Sequence, residues 1–411
     1  MTLGEELKAR GLVEHTSADI QKILRTPRTV YYGVDPSSDS MQAGNLVGLL
    51  VVRRLSEAGH RIILLVGGGT GLIGDPRESG ERTLADARVI AANKKKLRAQ
   101  MQQIVGAKIQ MVDNADWLLK EKLIDFLRDI GKHFTVNELV KRDIIRKRLE
   151  TPDESISYTE FAYSLLQGFD YLMLHRTRRC DLQVGGSDQW TNILSGVELI
   201  RRKEGKEAFA LTWPLVTDAA GKKFGKSEGN AMWLDPKKTS PFAFYQFWIN
   251  QPDEEVEKLL KMFTLLPLPE IASLLEKHRK TPGEREAQET LARLVTEIVH
   301  GPGAAAHASA ATDALFGGRL LSELSAIERN LLIQGAPNLT VKLGTNIVDV
   351  LVESNLASSK GDAKRLIEGK GIQLAGKIIE SPDTTLTKEH FDAGLALLKK
   401  GKRETLVLVL K

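Results

Sequence analysis

The fold of this 411-residue chain is decided by the stretch TVYYGVDPSSDSMQAGNLVGLLVVRRLSEAGHRIILLVGGG, residues 29–69. Two runs of aliphatic and β-branched residues flank a long helical pattern there. The alternation continues downstream through LADARVIAANKKKLRAQMQQIVG and KIQMVD. This order predicts an α/β fold with a parallel sheet and right-handed crossovers. Ligands of such sheets bind at the carboxyl ends of the strands, so the loops after the strands are the candidate site.

The pattern changes after this region and predicts further domains. Residues 236–321 read as helical almost throughout, which predicts an all-helical domain after an α/β domain of residues 1–235. Residues 322–344 lack a sustained period and are predicted to be a linker. Residues 345–411 combine two helical patterns with strands that end in ETLVLVLK, which predicts a small α+β domain.

Composition excludes several classes of protein. The single cysteine, Cys180, rules out an internal disulfide framework and a cysteine-based zinc cluster, and it suits a reducing compartment. Apolar runs stay short of the roughly 20 residues that span a bilayer, and the amino terminus lacks a secretory pattern. We therefore expect a soluble, cytoplasmic protein without a membrane partner. The net charge of +5 is compatible with a polyanionic partner or with solvated basic faces.

The first candidate site is the loop Asp35-Pro-Ser-Ser-Asp-Ser-Met-Gln-Ala-Gly-Asn45, which lies between a predicted strand and a predicted helix. The start of a helix offers free N–H groups and a positive dipole end, and Gly44 allows a nucleotide to approach the backbone closely. Taken alone, such a loop is more often a helix cap and a tight turn.

The second candidate site is Lys222-Lys-Phe-Gly-Lys-Ser227, far downstream. Lys223 and Lys226 can neutralise triphosphate oxygens as charge moves toward a leaving pyrophosphate. A lysine-rich loop alone is more often a solvated turn. The two loops together, however, resemble the two signature segments of class I aminoacyl-tRNA synthetases, described by the patterns HIGH and KMSKS.

Six ordered segments narrow this resemblance to bacterial tyrosyl-tRNA synthetases and extend it over nearly the whole chain: YYGVDPSSDS, LVGGGTGLIGDP, FLRDIGKHFTVN, SYTEFAYSLLQGFDY, VGGSDQW and KFGKSEGNAMWLDPKKTSP. The resemblance implies a Rossmann-like catalytic domain and a tyrosine–tRNA ligase. Such an enzyme activates L-tyrosine with ATP to tyrosyl-adenylate and pyrophosphate, and then transfers tyrosine to the 3′ end of tRNA(Tyr).

The resemblance also implies roles for particular residues. The positions that surround tyrosine are Tyr31, Asp75, Tyr163, Gln167, Asp170 and Gln183. Those that contact ATP or the adenylate are Gly33, Asp35, Gly44, Gly186, Asp188, Lys223 and Lys226. The catalytic positions of the two signatures are Gln42, Asn45, Lys223, Lys226 and Ser227.

Spacing supports the tyrosine site. Tyr163, Gln167 and Asp170 recur at intervals of four and three, which puts them on one face of a helix. A carboxylate at position 170 and a phenol at position 31 can both hydrogen-bond the substrate hydroxyl. The alternative is an amphipathic helix whose three polar residues face water.

Two features depart from the family pattern. Gln42 stands where the family generally has histidine, and Asn45 is a variant that the family tolerates. The loop PRESGER after Asp75 is one residue short and lacks a matching lysine, so we predict that Arg77 and Arg82 supply the charge at the pyrophosphate. We predict that the chain remains catalytic. A neutral glutamine can still donate an amide N–H to a phosphate.

Few cofactors are implied. The reaction needs no covalent intermediate, and the eight histidines form no triad or metal-ligand spacing, so we expect no metal site and no tightly bound cofactor. Mg²⁺ is expected to arrive with ATP.

Two further partners are implied. The carboxy-terminal segment resembles a small RNA-binding domain of ribosomal-protein type, in which Lys360, Lys364, Arg365 and Lys370 would contact tRNA; the alternative is a basic helix that faces water. Family resemblance implies a homodimer with its contact near FLRDIGKHFTVNELV.

Two alternatives stay open. A tryptophanyl-tRNA synthetase shares the fold and both signatures, although Tyr31 and Asp170 argue against it. A noncatalytic RNA-binding protein derived from a synthetase is motivated by Gln42 and by the basic carboxy-terminal domain.

Overall fold

The structure is a computed structural model that describes residues 1–76, 80, 83–84, 86–106, 109–217, 224–227, 230–401 and 404–411, with the backbone alone at 143, 226, 227 and 230. Three predicted site residues, Arg77, Arg82 and Lys223, lie outside the described residues. The chain divides into two compact units. The first comprises Met1–Leu234 and Glu254–Arg279, and the second comprises Asp235–Asp253 and Lys280–Lys411.

The first unit is built on a sheet. Six strands of its described part pair in the order β1-β6-β5-β2-β3-β4: β1 His15–Thr16, β2 Thr29–Val34, β3 Arg61–Val66, β4 Ile109–Val112, β5 Leu182–Gly186 and β6 Phe209–Trp213. All neighbours are parallel except β1, which is antiparallel to β6. The predicted α/β fold with a parallel sheet is therefore confirmed. Strand β6, a fully buried apolar run, was not predicted.

The helices of this unit precede and follow these strands: α1 Leu3–Ala9, α2 Ile20–Leu24, α3 Ala43–Glu57, α4 Ala87–Val105, α5 Ala115–Leu118, α6 Leu123–Asp129, α7 Val136–Leu139, α8 Asp143–Glu150, α9 Tyr158–Arg178 and α10 Trp190–Glu204. A short hairpin follows, with β7 Lys226–Ser227 and β8 Asn230–Ala231. The order of the strands reverses beside β2, because β3 lies on one side of it and β5 on the other. That reversal is where a parallel α/β sheet opens a crevice for a ligand.

The helices after residue 240 are α11 Pro241–Ile249, α12 Asp253–Phe263, α13 Leu268–Lys280, α14 Glu286–His300, α15 Pro302–Thr312 and α16 Ala326–Gly335. The structure divides this region differently from the predicted domain 236–321, because residues 254–279 belong to the first unit. The reason is the end of α12, where the side chains of Arg10 and Arg54 donate to the carbonyl oxygens of Lys261 and Thr264.

The last elements are β9 Asn338–Val341, α17 Ile347–Glu353, α18 Lys360–Glu368, β10 Ile372–Leu374, β11 Lys377–Ile378, β12 Leu395–Lys400 and β13 Glu404–Leu410. The five strands pair in the order β11-β10-β12-β13-β9. Residues 322–344, predicted to be a linker, contain α16 and β9. Strand β9 is only four residues long, and its parallel partner β13 lies far along the chain, so no local pattern marks it.

The second unit has a core that joins its helices to this sheet. Leu395 and Val407 of β12 and β13 pack in one cluster with Phe242 of α11 and Leu332 of α16. The helical residues of this unit and the small α+β part are therefore stabilised by shared apolar burial. No helix in the described ranges is long and apolar enough to cross a membrane.

Candidate functional site

A cavity of about 340 Å³ opens at the carboxyl ends of β2 and β5, beside the start of α3. Most of the predicted site residues line it: Tyr31, Gly33, Asp35, Gly44, Asn45, Asp75, Tyr163, Gln167, Asp170, Gln183, Gly186 and Asp188. These positions come from five separate stretches of the chain. The parallel sheet brings them together because its strand ends meet at one edge.

The buried end of the cavity is built around a carboxylate. Asp170 is 1% exposed and accepts hydrogen bonds from Asn114 Nδ2 at 2.9 Å and Trp117 Nε1 at 2.7 Å. Burial raises the pKa of Asp170 to about 8, against the effect of those two donors. Burial is the main cause that raises the pKa of the Tyr31 phenol, and the negative charge of Asp170 raises it further. The alternative of a polar helix face turned to water is therefore excluded for Asp170.

A chain of hydrogen bonds links this end of the cavity to Asp35, a residue predicted to contact the nucleotide. Asn114 Nδ2 also donates to Thr70 Oγ1 at 2.8 Å, and Thr70 Oγ1 donates to Asp35 Oδ1 at 2.6 Å. Asp35 Oδ2 in turn accepts from Tyr163 Oη at 2.7 Å. The chain fixes two predicted tyrosine-site residues and one predicted nucleotide-site residue in a single network.

Sequence reasoning missed three members of this network: Thr70, Asn114 and Trp117. A signal for two of them was present. Thr70 begins a short 3₁₀ helix after β3, and Asn114 lies between β4 and α5, so both are at the carboxyl edge of the sheet. Trp117 had no such signal, because an indole in a short helix is more often part of a core.

Asp75 forms a second buried carboxylate in the cavity wall. It accepts from Gln189 Nε2 at 2.7 Å and Asn192 Nδ2 at 3.1 Å. Burial raises its pKa to about 6, although these bonds act in the opposite direction. Gln183 Oε1, nearby in the lining, is buried and has no hydrogen-bond partner among the described residues. The cavity therefore offers acceptors for a group that carries several N–H donors.

Backbone hydrogen bonds join the first signature segment to residues that closely follow the second. Ala43 N donates to Met232 O at 2.8 Å, and Leu234 N donates to Met41 O at 2.9 Å. A Cβ at Gly44 would lie 3.3 Å from Phe224 O, so glycine permits this close approach. The sequence had paired these two segments by resemblance, and the fold brings their backbones into contact.

Not every predicted residue of the signatures faces the cavity. Gln42 is the N-cap residue of α3 and is not among the described residues that line the cavity. Its backbone N–H donates to Asn45 Oδ1 at 2.9 Å, because that side chain reaches back over the first turn. Lys226 and Ser227 form β7 in backbone, and Lys223 lies outside the described residues.

The predicted RNA-binding residues lie on and just after α18. Three of the four make ion pairs: Lys360 with Asp349 at 2.7 Å, Arg365 with Asp362 at 3.8 Å and Lys370 with Glu380 at 3.9 Å. All four side chains are exposed. Exposed pairs of this kind are weak, so these cations can exchange partners.

Comparison with known proteins gives the family. A family model for tRNA synthetases class I (W and Y) matches residues 24–317, and one for a tyrosine–tRNA ligase SYY-like C-terminal domain matches residues 328–408. A tyrosine–tRNA ligase of Streptococcus equi subsp. zooepidemicus is 44% identical over 420 residues, which covers 99% of this chain and 100% of the relative. The chain belongs to the tyrosine–tRNA ligase family.

Other members of the family agree with this assignment. Tyrosine–tRNA ligase 1 of Vibrio parahaemolyticus is 41% identical over 410 residues, covering 97% of this chain and 96% of that protein. The crystal structure of a C-terminally truncated mitochondrial tyrosyl-tRNA synthetase of Aspergillus nidulans matches with a TM-score of 0.67 and 30% identity, covering 75% of this chain and 92% of that one. The expected family and the expected class I fold are confirmed, and the tryptophanyl alternative is not supported by these relatives.

Proposed function

We propose that this tyrosine–tRNA ligase activates L-tyrosine with ATP and transfers the tyrosyl group to the 3′ end of tRNA(Tyr). The observation that carries the proposal is Asp170, a carboxylate buried at the end of the cavity beside the Tyr31 ring. A buried carboxylate selects a ligand that can donate a hydrogen bond to it. A phenol does so, whereas a phenyl ring leaves the carboxylate without that partner.

The remaining lining residues suit the rest of a tyrosine molecule. Asp75 and the side-chain oxygen Oε1 of Gln183 are acceptors for the ammonium group, and Tyr163 and Gln167 line the same cavity. We assign Tyr31, Asp75, Tyr163, Gln167, Asp170 and Gln183 to tyrosine binding. The assignment is supported by their common cavity and by the chemistry of their side chains.

The other half of the cavity suits the adenylate. Glycine at 33, 44 and 186 allows the backbone to approach a ligand, and Asp188 offers acceptor oxygens for ribose hydroxyls. Asp35, already tied to Tyr163, lies where the two halves meet. We assign Gly33, Asp35, Gly44, Gly186 and Asp188 to ATP and adenylate binding.

The phosphates need positive charge and hydrogen-bond donors. We assign Lys223, Lys226 and Ser227, together with Gln42 and Asn45, to the triphosphate, and Arg77 and Arg82 to the departing pyrophosphate. The support is that Ala43 of the first segment is hydrogen-bonded to Met232, five residues after the second, and that Gly44 lies close to Phe224 O. Mg²⁺ is proposed to enter on ATP. In the described part of the chain no group of three or more His, Cys, Asp and Glu residues could hold a metal ion by itself.

The chemistry is a displacement at phosphorus. The tyrosine carboxylate attacks the α-phosphate of ATP, the bond to the β-phosphate oxygen breaks, and pyrophosphate leaves with the charge that the lysines neutralise. A ribose hydroxyl at the 3′ end of tRNA then attacks the mixed anhydride and releases AMP. Holding the reactants in line is the main contribution of the protein.

The carboxy-terminal residues Lys360, Lys364, Arg365 and Lys370 are proposed to contact tRNA phosphates. Replacing Lys364 with glutamate should weaken tRNA aminoacylation and reduce its salt dependence, while ATP–pyrophosphate exchange is unchanged. Lys8→Glu, the same charge change on an exposed lysine of the first unit, is the control. Deleting residues 345–411 is a poorer test, since it would remove Leu395 and Val407 from a shared core.

We also propose that the enzyme is a homodimer in the cytoplasm, where its substrates are found. The support for a dimer is a set of exposed apolar side chains in and around the predicted contact segment: Leu119, Leu123, Ile124, Leu127 and Val136. Exposed apolar groups of this density are typical of an interface. Sedimentation of the purified protein at two concentrations tests the assignment, and a single species of 45.4 kDa at both would contradict it.

Amino-acid-dependent ATP–pyrophosphate exchange tests the central proposal. Exchange with tyrosine, and far less with phenylalanine or tryptophan, is the expected result. Exchange with tryptophan alone would favour the tryptophanyl alternative. Absence of exchange with every amino acid, together with tRNA binding, would favour a noncatalytic RNA-binding protein, the alternative that Gln42 motivates.

A further inference from the structure

The lysine-rich segment is held in the first unit by an aromatic ring that the reaction itself does not use. Phe224, between Lys223 and Lys226, is 6% exposed and stacks on the fully buried ring of Phe263 at the end of α12. The ring centroids are 5.4 Å apart and the ring planes differ by 28°. Such a stacked pair contributes more than its buried area alone.

The end of α12 is in turn fixed by two buried guanidinium groups. Arg10 donates to Lys261 O at 3.2 Å and to Leu266 O at 2.6 Å, and Arg54 of α3 donates to Thr264 O. These carbonyl oxygens flank Phe263 in sequence. The buried donors satisfy helix-end carbonyl groups that would otherwise lack partners, so Phe263 is presented on a rigid support.

The backbone around Phe224 leaves little freedom once that ring is fixed. Phe224 N donates to Val216 O at 3.0 Å, and Met232 N donates to Gly225 O at 2.7 Å. The next residues form the β7–β8 hairpin, in which Lys226 pairs with Ala231. A shift of the Phe224 ring would therefore move the backbone from which Lys226 extends.

We propose that Phe263 is a positioning residue for the lysine-rich segment: by stacking on Phe224 it fixes the backbone from which Lys226 extends, and so how well that lysine reaches the triphosphate. The inference rests on the proposed function, since the lysines act only if ATP is a substrate. A lysine side chain is long and flexible, so its contribution in the transition state depends on how well its backbone is placed.

The first experiment is Phe263→Leu, assayed by tyrosine-dependent ATP–pyrophosphate exchange. Loss of the stacked pair should lower kcat by about threefold to tenfold and leave the KM for tyrosine unchanged. Phe244→Leu is the matched control, because Phe244 is a fully buried ring of the second unit that packs edge-on against Trp248 at 6.0 Å. That variant should lose thermal stability in the same way and keep its kcat.

The second experiment asks whether Phe263 acts through the lysines. Lys226→Gln alone should slow exchange, and adding Phe263→Leu should slow it by much less than in the wild-type background. Phe263→Met, whose thioether can still contact the Phe224 ring favourably, should keep more of kcat than Phe263→Leu. If Phe263→Leu does not fold, Phe224→Leu makes the same test from the other ring.

The outcomes separate the inference from the proposed function. An inactive wild-type protein would refute the function. If the wild type is active and Phe263→Leu keeps its full kcat, the positioning role is overturned. It is also overturned if the double variant loses kcat by the product of the two single losses, because the two residues would then act independently.

Discussion

Replacing Asn114 with alanine should weaken tyrosine binding. The Asn114 side chain is fully buried, accepts from Gly69 N at 2.8 Å and donates to Thr70 Oγ1 and Asp170 Oδ2. Alanine removes one of the two side chains that donate a hydrogen bond to Asp170. A hydrogen bond between uncharged groups contributes about 0.5–1.5 kcal/mol, which corresponds to a roughly 2- to 13-fold rise in the KM for tyrosine.

The assay is ATP–pyrophosphate exchange with tyrosine varied at saturating ATP, and then with ATP varied. We expect the KM for tyrosine to rise and the KM for ATP to change little. Asn346→Ala is the control, because Asn346 of the second unit also makes two side-chain hydrogen bonds, to Pro382 O and from Val348 N. A KM for tyrosine that stays within twofold of the wild type in Asn114→Ala would refute the network as a determinant of substrate binding.

Three further predictions concern Asp170, Gln42 and Arg148. Burial holds the pKa of Asp170 at about 8, above its ordinary 3.8, so the stability that protonated Asp170 contributes to the ligand-free protein is present below pH 4 and is lost as pH rises toward 8. The melting temperature should therefore fall less between pH 5 and pH 8 in Asp170→Asn than in the wild type. An equal fall in both proteins would contradict this. Gln42→His should keep or raise kcat in exchange, whereas a large loss would show that the loop is organised around glutamine. Arg148→Met breaks a buried ion pair with Glu160 at 2.8 Å and should lower the free energy of unfolding by about 3–5 kcal/mol. The double variant Arg148→Met, Glu160→Leu should recover part of that stability. An unchanged midpoint of chemical denaturation in Arg148→Met would argue against a stabilising role of the pair.

Much of the site was predictable because each of its parts carries a local signal. Tyr163, Gln167 and Asp170 lie within one helix, so their spacing alone defined a shared face. Tyr31 and Asp35 belong to one strand and the loop that follows it, where parallel sheets bind ligands. The family resemblance then joined segments that no local pattern could connect.

Residues that act through long-range contacts were not predictable in this way. The contribution of Asn114 depends on its distance to Asp170, 56 positions later in the chain. Two other contacts also join residues far apart in the sequence. They are the stacking of Phe224 on Phe263 and the hydrogen bonds from Arg10 and Arg54 to the end of α12. A pair of distant residues leaves no period in the sequence that could reveal it.

The predicted linker shows the same limit in the fold. Residues 322–344 lack a repeating apolar pattern, yet Ser325 and Glu328 form a capping box that starts α16. The sequence S-A-I-E there is a recognisable start signal. The strand that follows is specified by its parallel partner β13 and not by its own four residues.

The amino-acid sequence by itself determined the parallel α/β fold and the helix face that carries Asp170, because alternation and spacing act over short distances along the chain. The two signature segments were recognised by their resemblance to a known family. Only the tertiary structure decided which side chains hold Asp170 and Asp35 in one network, and that residues 254–279 belong with the first unit. Those outcomes depend on hydrogen bonds and apolar contacts between residues far apart in sequence, whose geometry exists only after the chain has folded.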